Sequence, residues 1–221
     1  WGDWLMYAFI LSIGLISFWE YSGIVTPQDR NGKIVFSLLG TATILVGIIA
    51  QDPVTMMLII QAAGLALAIF YMLAPGDMEN AWSRLSALAF GFIYIALAHT
   101  CICLVEIEST RLQAEHVDTI PGVWVYLMLI ATWSNDTAAY FSGRAFGKHK
   151  LYEKISPKKT WEGFAGGAIG SACIPVAFVV GLNHWMPSVT YVDALWIGIP
   201  AAFLAPVGDL VESMLKRSYN I

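Results

Sequence analysis

The chain has 221 residues, of which 57% are hydrophobic and only 13% charged, and its mean hydropathy is +0.65. Soluble domains carry about 25% charged residues, so this composition argues against a soluble globular protein and for one that lies in a bilayer. The net charge of −4 indicates little by itself, because the placement of charges matters more in a membrane protein. We expect no nucleic-acid partner. Because the chain begins at Trp1 rather than Met and stops at Ile221, we also expect it to be a fragment at both ends.

Seven apolar stretches are candidates for membrane spans, since crossing the hydrocarbon core takes about 20 residues. The second and the seventh are short, so we expect them to tilt, to extend past these limits or to be partly re-entrant. The stretches are Trp4–Val25, Ile34–Ile49, Val54–Ala74, Leu85–Val105, Gly122–Phe141, Phe164–Leu182 and Ala194–Val207. They predict an all-α polytopic integral membrane protein of about seven helices. We expect residues 1–121 to form its N-terminal transmembrane helices and residues 122–221 a second transmembrane region, which holds the candidate functional residues described below.

The charges between the spans predict the orientation of the chain. If residue 1 lies outside and every stretch crosses once, eleven of the twelve Lys and Arg residues fall inside and only Arg111 outside. This is the asymmetry that the positive-inside rule predicts. The outside loops are acidic and hold Asp52, Glu106, Glu108, Glu115, Asp118 and Asp193. We therefore expect a protein of the bacterial inner membrane, or an equivalent membrane, with its active site on the cytoplasmic side.

A carboxylate lies inside the fifth apolar stretch, near its inner end. A charge at this depth costs several kcal/mol unless it is paired, solvated or bound to metal, so Asp136, beside Asn135, is a candidate functional residue. On a helix Asp136, Tyr140 and Arg144 share one face. The alternative is an Asp–Arg link that only anchors the end of the helix.

A basic loop, residues 142–163, follows and holds six of the twelve cations. Its segment I-S-P-K-K-T-W-E-G offers hydroxyls from Ser156 and Thr160 and ammonium groups from Lys158 and Lys159, which we expect to lie in a tight turn. Ammonium, hydroxyl and backbone N–H groups are the usual ligands of phosphate. A loop that only sets topology or contacts lipid headgroups would also explain the lysines. It would not explain the mixture of Ser, Pro, Thr, Trp and Glu, which favours phosphate binding.

An acidic motif, residues 208–217, lies on the same predicted side. Its candidate residues Asp209, Glu212, Ser213 and Lys216 form one stripe of a helix that we expect to begin at Gly208. Acidic residues at a helix N-terminus are the simpler explanation. The functional interpretation is a site for Mg²⁺, which takes one or two carboxylates, waters and substrate phosphate oxygens. Asp136 would share this site if the two span ends meet.

Two parts of the chain, Ser134–Gly163 and the acidic motif, closely resemble the phosphatidate cytidylyltransferases, or CDP-diacylglycerol synthases. The resemblance covers about forty residues and rests on D-T-A-A-Y-F-S-G-R-A-F-G-K-H-K-L, I-S-P-K-K-T-W-E-G and G-D-L-V-E-S-M-L-K-R. The signature of that family opens with a Ser, two residues and then Lys-Arg, which are Ser213, Lys216 and Arg217 here. In the family it continues with Lys-Asp, P-G-H-G-G and D-R-x-D, which would lie beyond Ile221.

The resemblance implies transfer of CMP from CTP to phosphatidic acid, with release of pyrophosphate and with Mg²⁺ as cofactor. It implies Asp209 as a metal ligand with Asp136 and Glu212 beside it, and we assign catalysis to these three with Lys158 and Lys159. The expected substrate-binding residues are Asn135, Tyr140, Arg144, Ser156, Thr160, Ser213, Lys216 and Arg217. The expected partners are CTP, phosphatidic acid and membrane lipids, and we also retain a homodimer as an expectation.

Other classes of function remain open on the residues alone. A transporter of an anionic phosphorylated solute would use Asp136 and the lysines as a binding site, but it predicts broken helices and a repeat that we do not find. A membrane scaffold would leave both acidic clusters unexplained. A cytidylyltransferase for another lipid phosphate, such as an isoprenoid-ether lipid, stays open as an alternative.

Overall fold

The computed structural model describes residues 2–73, 78–115, 122–184 and 189–219. In these ranges the chain forms seven α-helices and two short β-strands. The helices are α1 (Gly2–Val25), α2 (Arg30–Ala50), α3 (Pro53–Leu73), α4 (Met78–Glu115), α5 (Val123–Phe146), α6 (Trp161–Gly181) and α7 (Tyr191–Ser218). The strands, β1 (Lys150–Tyr152) and β2 (Ser156–Thr160), lie between α5 and α6.

Six of the seven described helices are long and apolar enough to cross a membrane. This confirms the predicted all-α polytopic membrane protein. The exception is α5, which corresponds to the predicted fifth span, Gly122–Phe141, and extends five residues past its end. Its middle contains the run Ser134-Asn135-Asp136, which lowers the hydropathy of the helix.

Several predicted limits change. The short second span becomes α2 and extends past both of its predicted ends, while α3 covers the predicted third span except for Ala74, which lies outside the described residues. The predicted outside loop after the fourth span is wrong at Glu106 and Glu108, because both lie within α4 and Glu106 is fully buried. Glu115, also predicted in that loop, is the last residue of α4, and Asp118 lies outside the described residues.

The largest correction concerns α7. We expected a helix to begin at Gly208, but α7 is continuous from Tyr191 to Ser218 and contains Pro200 and Pro206. Membrane helices tolerate Pro and Gly in their interior because neighbouring groups satisfy the freed backbone atoms. Asp209 therefore lies in the body of a helix, and the simpler explanation of acids at a helix N-terminus does not apply.

The basic loop is also more ordered than we expected. Residues 142–146 still belong to α5, and Trp161 to Gly163 already belong to α6. Between them β1 and β2 pair antiparallel, with Lys150 opposite Thr160 and Tyr152 opposite Ser156. The predicted Ser-Pro-Lys-Lys-Thr turn is therefore wrong, because these residues form strand β2.

The chain divides into two compact units, Trp1–Glu108 and Ser109–Ile221. The first unit has an aromatic core, in which the Phe18 ring lies 5.4 Å from Phe36 and 5.7 Å from Phe92. The Tyr21 hydroxyl donates to the carbonyl of Ala87 at 2.7 Å, which ties α1 to α4. Helix α2 begins at its cap Asp29, which also accepts from the Tyr71 hydroxyl at 2.7 Å.

The second unit consists mainly of α5, α6 and α7, which pack against one another. Their core holds Val123, Leu127, Val179, Val189 and Ala194. Helices α5 and α6 approach each other closely, because a Cβ atom at Gly163 would lie 2.9 Å from the carbonyl oxygen of Ala139. This close contact brings the start of α6 and strand β2 against the C-terminal half of α5.

Candidate active site

A cavity of about 370 Å³ lies in the second unit, where the end of α5, the start of α6 and the body of α7 meet the hairpin. The hairpin is the antiparallel pair of strands β1 and β2. We call this space the acidic cavity, because two carboxylates line it. Its lining residues are Asn135, Asp136, Ala139, Tyr140, Gly143, Arg144, Leu151, Lys158, Lys159, Thr160, Gly163, Phe164, Pro206 and Asp209.

Asp136 and Asp209 reach the acidic cavity from different helices, α5 and α7. The sequence analysis required the two span ends to meet, and the structure places both carboxylates on one cavity. Lys159 of β2 lines the same cavity and forms an ion pair with Asp209. Two like charges in one cavity repel each other, so a neighbouring cation stabilises the arrangement.

Lys159 has two partners on α7. Its Nζ atom lies 2.7 Å from Oδ2 of Asp209 and donates to the backbone carbonyl of Pro206 at 3.2 Å. Its side chain is 20% exposed, against 53% for Asp209. The ion pair therefore holds β2 against α7 beside the acidic cavity.

The predicted face of α5 is present. Asp136, Tyr140 and Arg144 all line the acidic cavity. Arg144 donates from Nη1 to the Tyr140 hydroxyl at 3.0 Å, and within the described residues no ion pair joins it to Asp136. The alternative of an Asp–Arg link that only anchors the helix end has no support in this geometry.

Asn135 is the most buried polar residue of the acidic cavity, with 1% of its surface exposed. Its amide nitrogen lies 3.5 Å from the Ser171 hydroxyl on α6, at the limit of a hydrogen bond. The Ser171 hydroxyl in turn donates to the carbonyl of Ala168 at 3.2 Å. A buried amide in this position presents donor and acceptor groups to whatever enters the cavity.

Thr160 has a structural role as well as a place in the cavity. It is the N-cap of α6, where its hydroxyl accepts from the amide of Gly163 at 3.1 Å.

Just before the hairpin, Nδ1 of His149 lies 2.7 Å from Oε1 of Glu162, and the carbonyl of His149 accepts from the amide of Trp161 at 2.9 Å. These contacts fix the hairpin to the start of α6. The sequence analysis gave no role to Glu162, which belongs to the motif that it quoted.

A second cavity of about 340 Å³ lies between the hairpin and the end of α7. We call it the basic cavity, because its charged lining residues are all cations. It is lined by Ile155, Ser156, Pro157, Lys158, Ser213, Lys216 and Arg217. Lys158 lines both cavities. Arg217 donates from Nε to the carbonyl of Ile155, which gives the hairpin a second attachment to α7.

The structure divides the predicted site residues between the two cavities, apart from one. Glu212 lines neither of these two cavities. It forms an ion pair with Lys216 one turn along α7, at 2.5 Å, and both side chains are about half exposed. The residues that the sequence analysis missed are mostly apolar or backbone contributors, namely Ala139, Leu151, Phe164 and Pro206.

The acidic cavity suits one kind of metal better than others. Among the residues that the structure describes, no group of three or more His, Cys, Asp and Glu side chains could hold a metal ion. A structural zinc site needs four such ligands. Mg²⁺ binds through one or two carboxylates and completes its shell with waters and substrate phosphates, so the pair Asp136 and Asp209 fits it.

The fold and the site together define a class of protein. This is a polytopic membrane protein in which two carboxylates, three cations and several apolar residues line one cavity, and Lys158 is shared with a basic cavity. Such a combination is suited to handling a phosphorylated substrate at the membrane.

Comparison with known proteins gives the family. The chain matches the cytidylyltransferase family over residues 1–221 and belongs to it, which makes it one of the nucleotidyltransferases. It is 29% identical over 216 residues to a phosphatidate cytidylyltransferase of Staphylococcus saprophyticus, covering 96% of this chain and 72% of that protein. It is 34% identical over 131 residues to that of Bacillus subtilis, covering 59% of this chain and 46% of the relative. The match to the Haemophilus influenzae protein is 30% over 179 residues, covering 79% and 60%. The chain thus spans from about half to about three quarters of the length of these relatives.

Proposed function

We propose that the protein transfers CMP from CTP to phosphatidic acid, and that the acidic cavity is where the transfer takes place. The observation that carries this proposal is the meeting of Asp136, Asp209, Lys158 and Lys159 on one cavity. The names of the relatives support the choice of substrates, since each is a phosphatidate cytidylyltransferase.

The reaction joins two anions and so needs charge neutralisation more than a strong base. An oxygen of the lipid phosphate attacks the α-phosphorus of CTP, a new P–O bond forms, and the bond from the α-phosphorus to the bridging oxygen breaks. The electron pair leaves with pyrophosphate, so that no further co-reactant is needed. Lys158, Lys159 and Arg144 supply positive charge where the phosphates meet, and preorganised charge of this kind lowers the barrier to phosphoryl transfer.

The apolar residues that line the acidic cavity fit a lipid substrate. Ala139, Leu151 and Phe164 line it beside the charged groups. Tyr140 and Phe141 of α5 are about 60% exposed, at 58% and 63%, on a helix that we treat as lying in the bilayer. A phosphatidate can therefore place its headgroup among the cations while its acyl chains stay in the membrane.

Mg²⁺ is the metal that we propose for Asp136 and Asp209. When bound, it would neutralise phosphate charge and so favour attack at the α-phosphorus. Glu212 was expected to be a third ligand, and its ion pair with Lys216 places it in a different environment from the two cavity carboxylates. We therefore propose Asp136 and Asp209 as the protein ligands of the metal. Glu212 would instead position the Lys216 ammonium group through their ion pair.

The orientation is part of the same proposal. The hairpin, with Lys150, Lys154, Lys158 and Lys159, lies between α5 and α6 at the end where both cavities lie. We propose that this end faces the cytoplasm, where the positive-inside rule places cations and where CTP is found. A homodimer stays a prediction.

Reconstitution of the full-length protein in liposomes with phosphatidic acid tests the proposal. Addition of CTP and Mg²⁺ should yield CDP-diacylglycerol and pyrophosphate in equal amounts, and Asp136→Asn should lower the rate at least about 100-fold because it removes a carboxylate from the reacting centre. Uptake of the nucleotide into the liposomes without lipid product would instead indicate a transporter and contradict the proposal. Activity with an isoprenoid-ether phosphate but not with phosphatidic acid would correct the substrate.

A further inference from the structure

Two attachments of the hairpin to α7 use side chains that the proposed reaction also uses. Lys159 pairs with Asp209, which we propose as a metal ligand. Arg217, an expected substrate-binding residue, donates to the carbonyl of Ile155. A metal ion or a phosphate bound to these side chains would compete with the same attachments. The hairpin therefore needs another attachment, one that stays in place when the site is occupied.

A pair of side chains at the start of α6 meets this requirement. Nδ1 of His149 lies 2.7 Å from Oε1 of Glu162, and the amide of His149 donates to Oε2 at 3.3 Å. Because an ionised carboxylate only accepts hydrogen bonds, Nδ1 carries the proton. Neither His149 nor Glu162 lines the acidic or the basic cavity, so a ligand in either cavity leaves their contacts intact.

The pair lies where the hairpin joins α6. His149 directly precedes β1, and its carbonyl accepts from the amide of Trp161, the first residue of α6, at 2.9 Å. This bond continues the pairing of Lys150 with Thr160 by one residue. Thr160 in turn is the N-cap of α6, so both ends of the hairpin are tied to this helix. The contacts of His149 therefore help to fix the strand that carries the two lysines of the acidic cavity.

We propose that His149 and Glu162 are positioning residues for the transfer, which hold β2 on α6. Their pair keeps the two lysines of β2, Lys158 and Lys159, at the acidic cavity when metal and phosphates bind. This proposal rests on the proposed function. Neither positioning residue touches the reacting atoms, and their effect passes through the lysines. An ammonium group that is held in place stabilises the charge of the transition state, whereas one on a loose strand loses part of that effect.

Two neutral substitutions of His149 separate this contact from the mere presence of a side chain. The amide nitrogen of Asn takes about the place of Nδ1, whereas that of Gln takes about the place of Nε2. His149→Asn should therefore keep kcat/KM for CTP within about two-fold of the wild type, while His149→Gln should lower it about three- to ten-fold, the effect of one lost hydrogen bond. The assay uses the full-length protein in liposomes with phosphatidic acid.

Removal of the carboxylate gives the complementary test. Glu162→Ala should also lower kcat/KM about three- to ten-fold, although it removes no charge from either cavity. The matched control is Glu153→Ala, which removes an exposed carboxylate from the turn of the same hairpin, outside both cavities. This control should change kcat/KM less than about two-fold.

A double-mutant cycle shows whether the effect passes through the lysines. Glu162→Ala should lower kcat/KM less than about two-fold once the lysine that it positions is already Ala, so the cycle is measured with Lys158→Ala and with Lys159→Ala. The coupling should appear with at least one of the two lysines. A role in stability alone would lower the amount of folded protein, and therefore the rate, by the same factor in every background.

Hydrogen–deuterium exchange of the full-length protein in detergent measures the attachment without turnover. His149→Gln and Glu162→Ala should speed exchange at the amides of β1 and β2 at least about three-fold, because the hairpin opens more often. His149→Asn and Glu153→Ala should leave this exchange unchanged.

The proposal is overturned if His149→Asn and His149→Gln give equal kcat/KM, if Glu162→Ala lowers kcat/KM by the same factor in every background, or if exchange in the hairpin is unchanged. The His149 side chain is 77% exposed, so its two variants decide the matter if Glu162→Ala is poorly folded. CMP transfer by the wild-type protein would in each case still support the proposed function, so the two failures are distinguishable.

Discussion

Nζ of Lys159 lies 2.7 Å from Oδ2 of Asp209, and this ion pair joins the hairpin to the helix that carries one of the two cavity carboxylates. The same ammonium group donates to the carbonyl of Pro206. A divalent cation bound to Asp209, as we propose, would compete with Lys159 for the same carboxylate group. Once displaced, the ammonium group is available to a substrate phosphate.

The competition predicts that Lys159→Gln binds metal more tightly in the absence of nucleotide. An ion pair of this kind contributes up to about 1 kcal/mol, so the affinity for Mn²⁺ should rise about two- to five-fold. Electron paramagnetic resonance of free Mn²⁺ in a titration of the detergent-solubilised protein measures it. The matched control is Lys158→Gln, which removes the same charge from a neighbour that lines the cavity without this ion pair. Equal gains in the two variants, or a loss of affinity in Lys159→Gln, would contradict the prediction.

Replacement of Asp209 by Asn should abolish CMP transfer without unfolding the protein. The side chain is 53% exposed, so the loss of its ion pair costs little stability, whereas the proposed metal ligand is lost. A suitable control on the same helix is Asp193→Asn, at the other end of α7. Asp193 accepts from the amide of Thr190 at 2.8 Å in a capping box, so this variant should lose about 1 kcal/mol of stability or less and keep its turnover. Near-normal turnover of Asp209→Asn at low Mg²⁺ would show that Asp209 is not a metal ligand.

The two lysines of β2 should each be needed for transfer. Loss of a charge-assisted contact to phosphate costs about 1.5–3 kcal/mol, so Lys158→Ala and Lys159→Ala should lower kcat/KM about ten- to a hundred-fold. Arginine should rescue poorly at one or both positions, because a planar guanidinium does not replace a compact ammonium group. Separate measurement of kcat/KM for CTP and for phosphatidic acid shows which phosphate each lysine holds. Wild-type kinetics in both alanine variants would indicate that the lysines only set the topology of the loop.

The orientation of the second unit predicts opposite labelling of two single cysteines. In a background without native cysteines, Lys154→Cys in the hairpin should react with an impermeant maleimide only from the cytoplasmic side of sealed vesicles. His184→Cys, between α6 and α7, should react only from the other side, because α6 separates the two positions. Reaction of both cysteines from the same side would exclude the proposed arrangement.

Helical spacing was enough to predict that several candidate residues share one face of α5. Asp136, Tyr140 and Arg144 were placed on one face from their spacing alone, and all three line the acidic cavity. The meeting of Asp136 with Asp209 was conditional, because a sequence of spans does not say which helices are neighbours. Contacts of α5 with both α6 and α7 provide that information.

Two features were hidden from the sequence for physical reasons. Pro206 and Gly208 are signals for a break in a soluble helix, but α7 continues through both, as membrane helices commonly do. The hairpin has strands of three and five residues with no regular apolar alternation, and contacts to α6 such as the pair His149 and Glu162 hold it in place. Tertiary contacts of this kind are not encoded in a local pattern.

The fate of each phosphate of CTP tests the central claim most directly. The full-length protein in liposomes of phosphatidic acid receives CTP labelled with radioactive phosphorus either at the α- or at the γ-position, and the extracted lipid is counted. Label from the α-position should enter the lipid and label from the γ-position should appear only in pyrophosphate, while Asp136→Asn and Asp209→Asn should transfer neither. Lipid labelled from the γ-position, or equal labelling from the α-position in the wild type and both variants, would contradict CMP transfer in the acidic cavity.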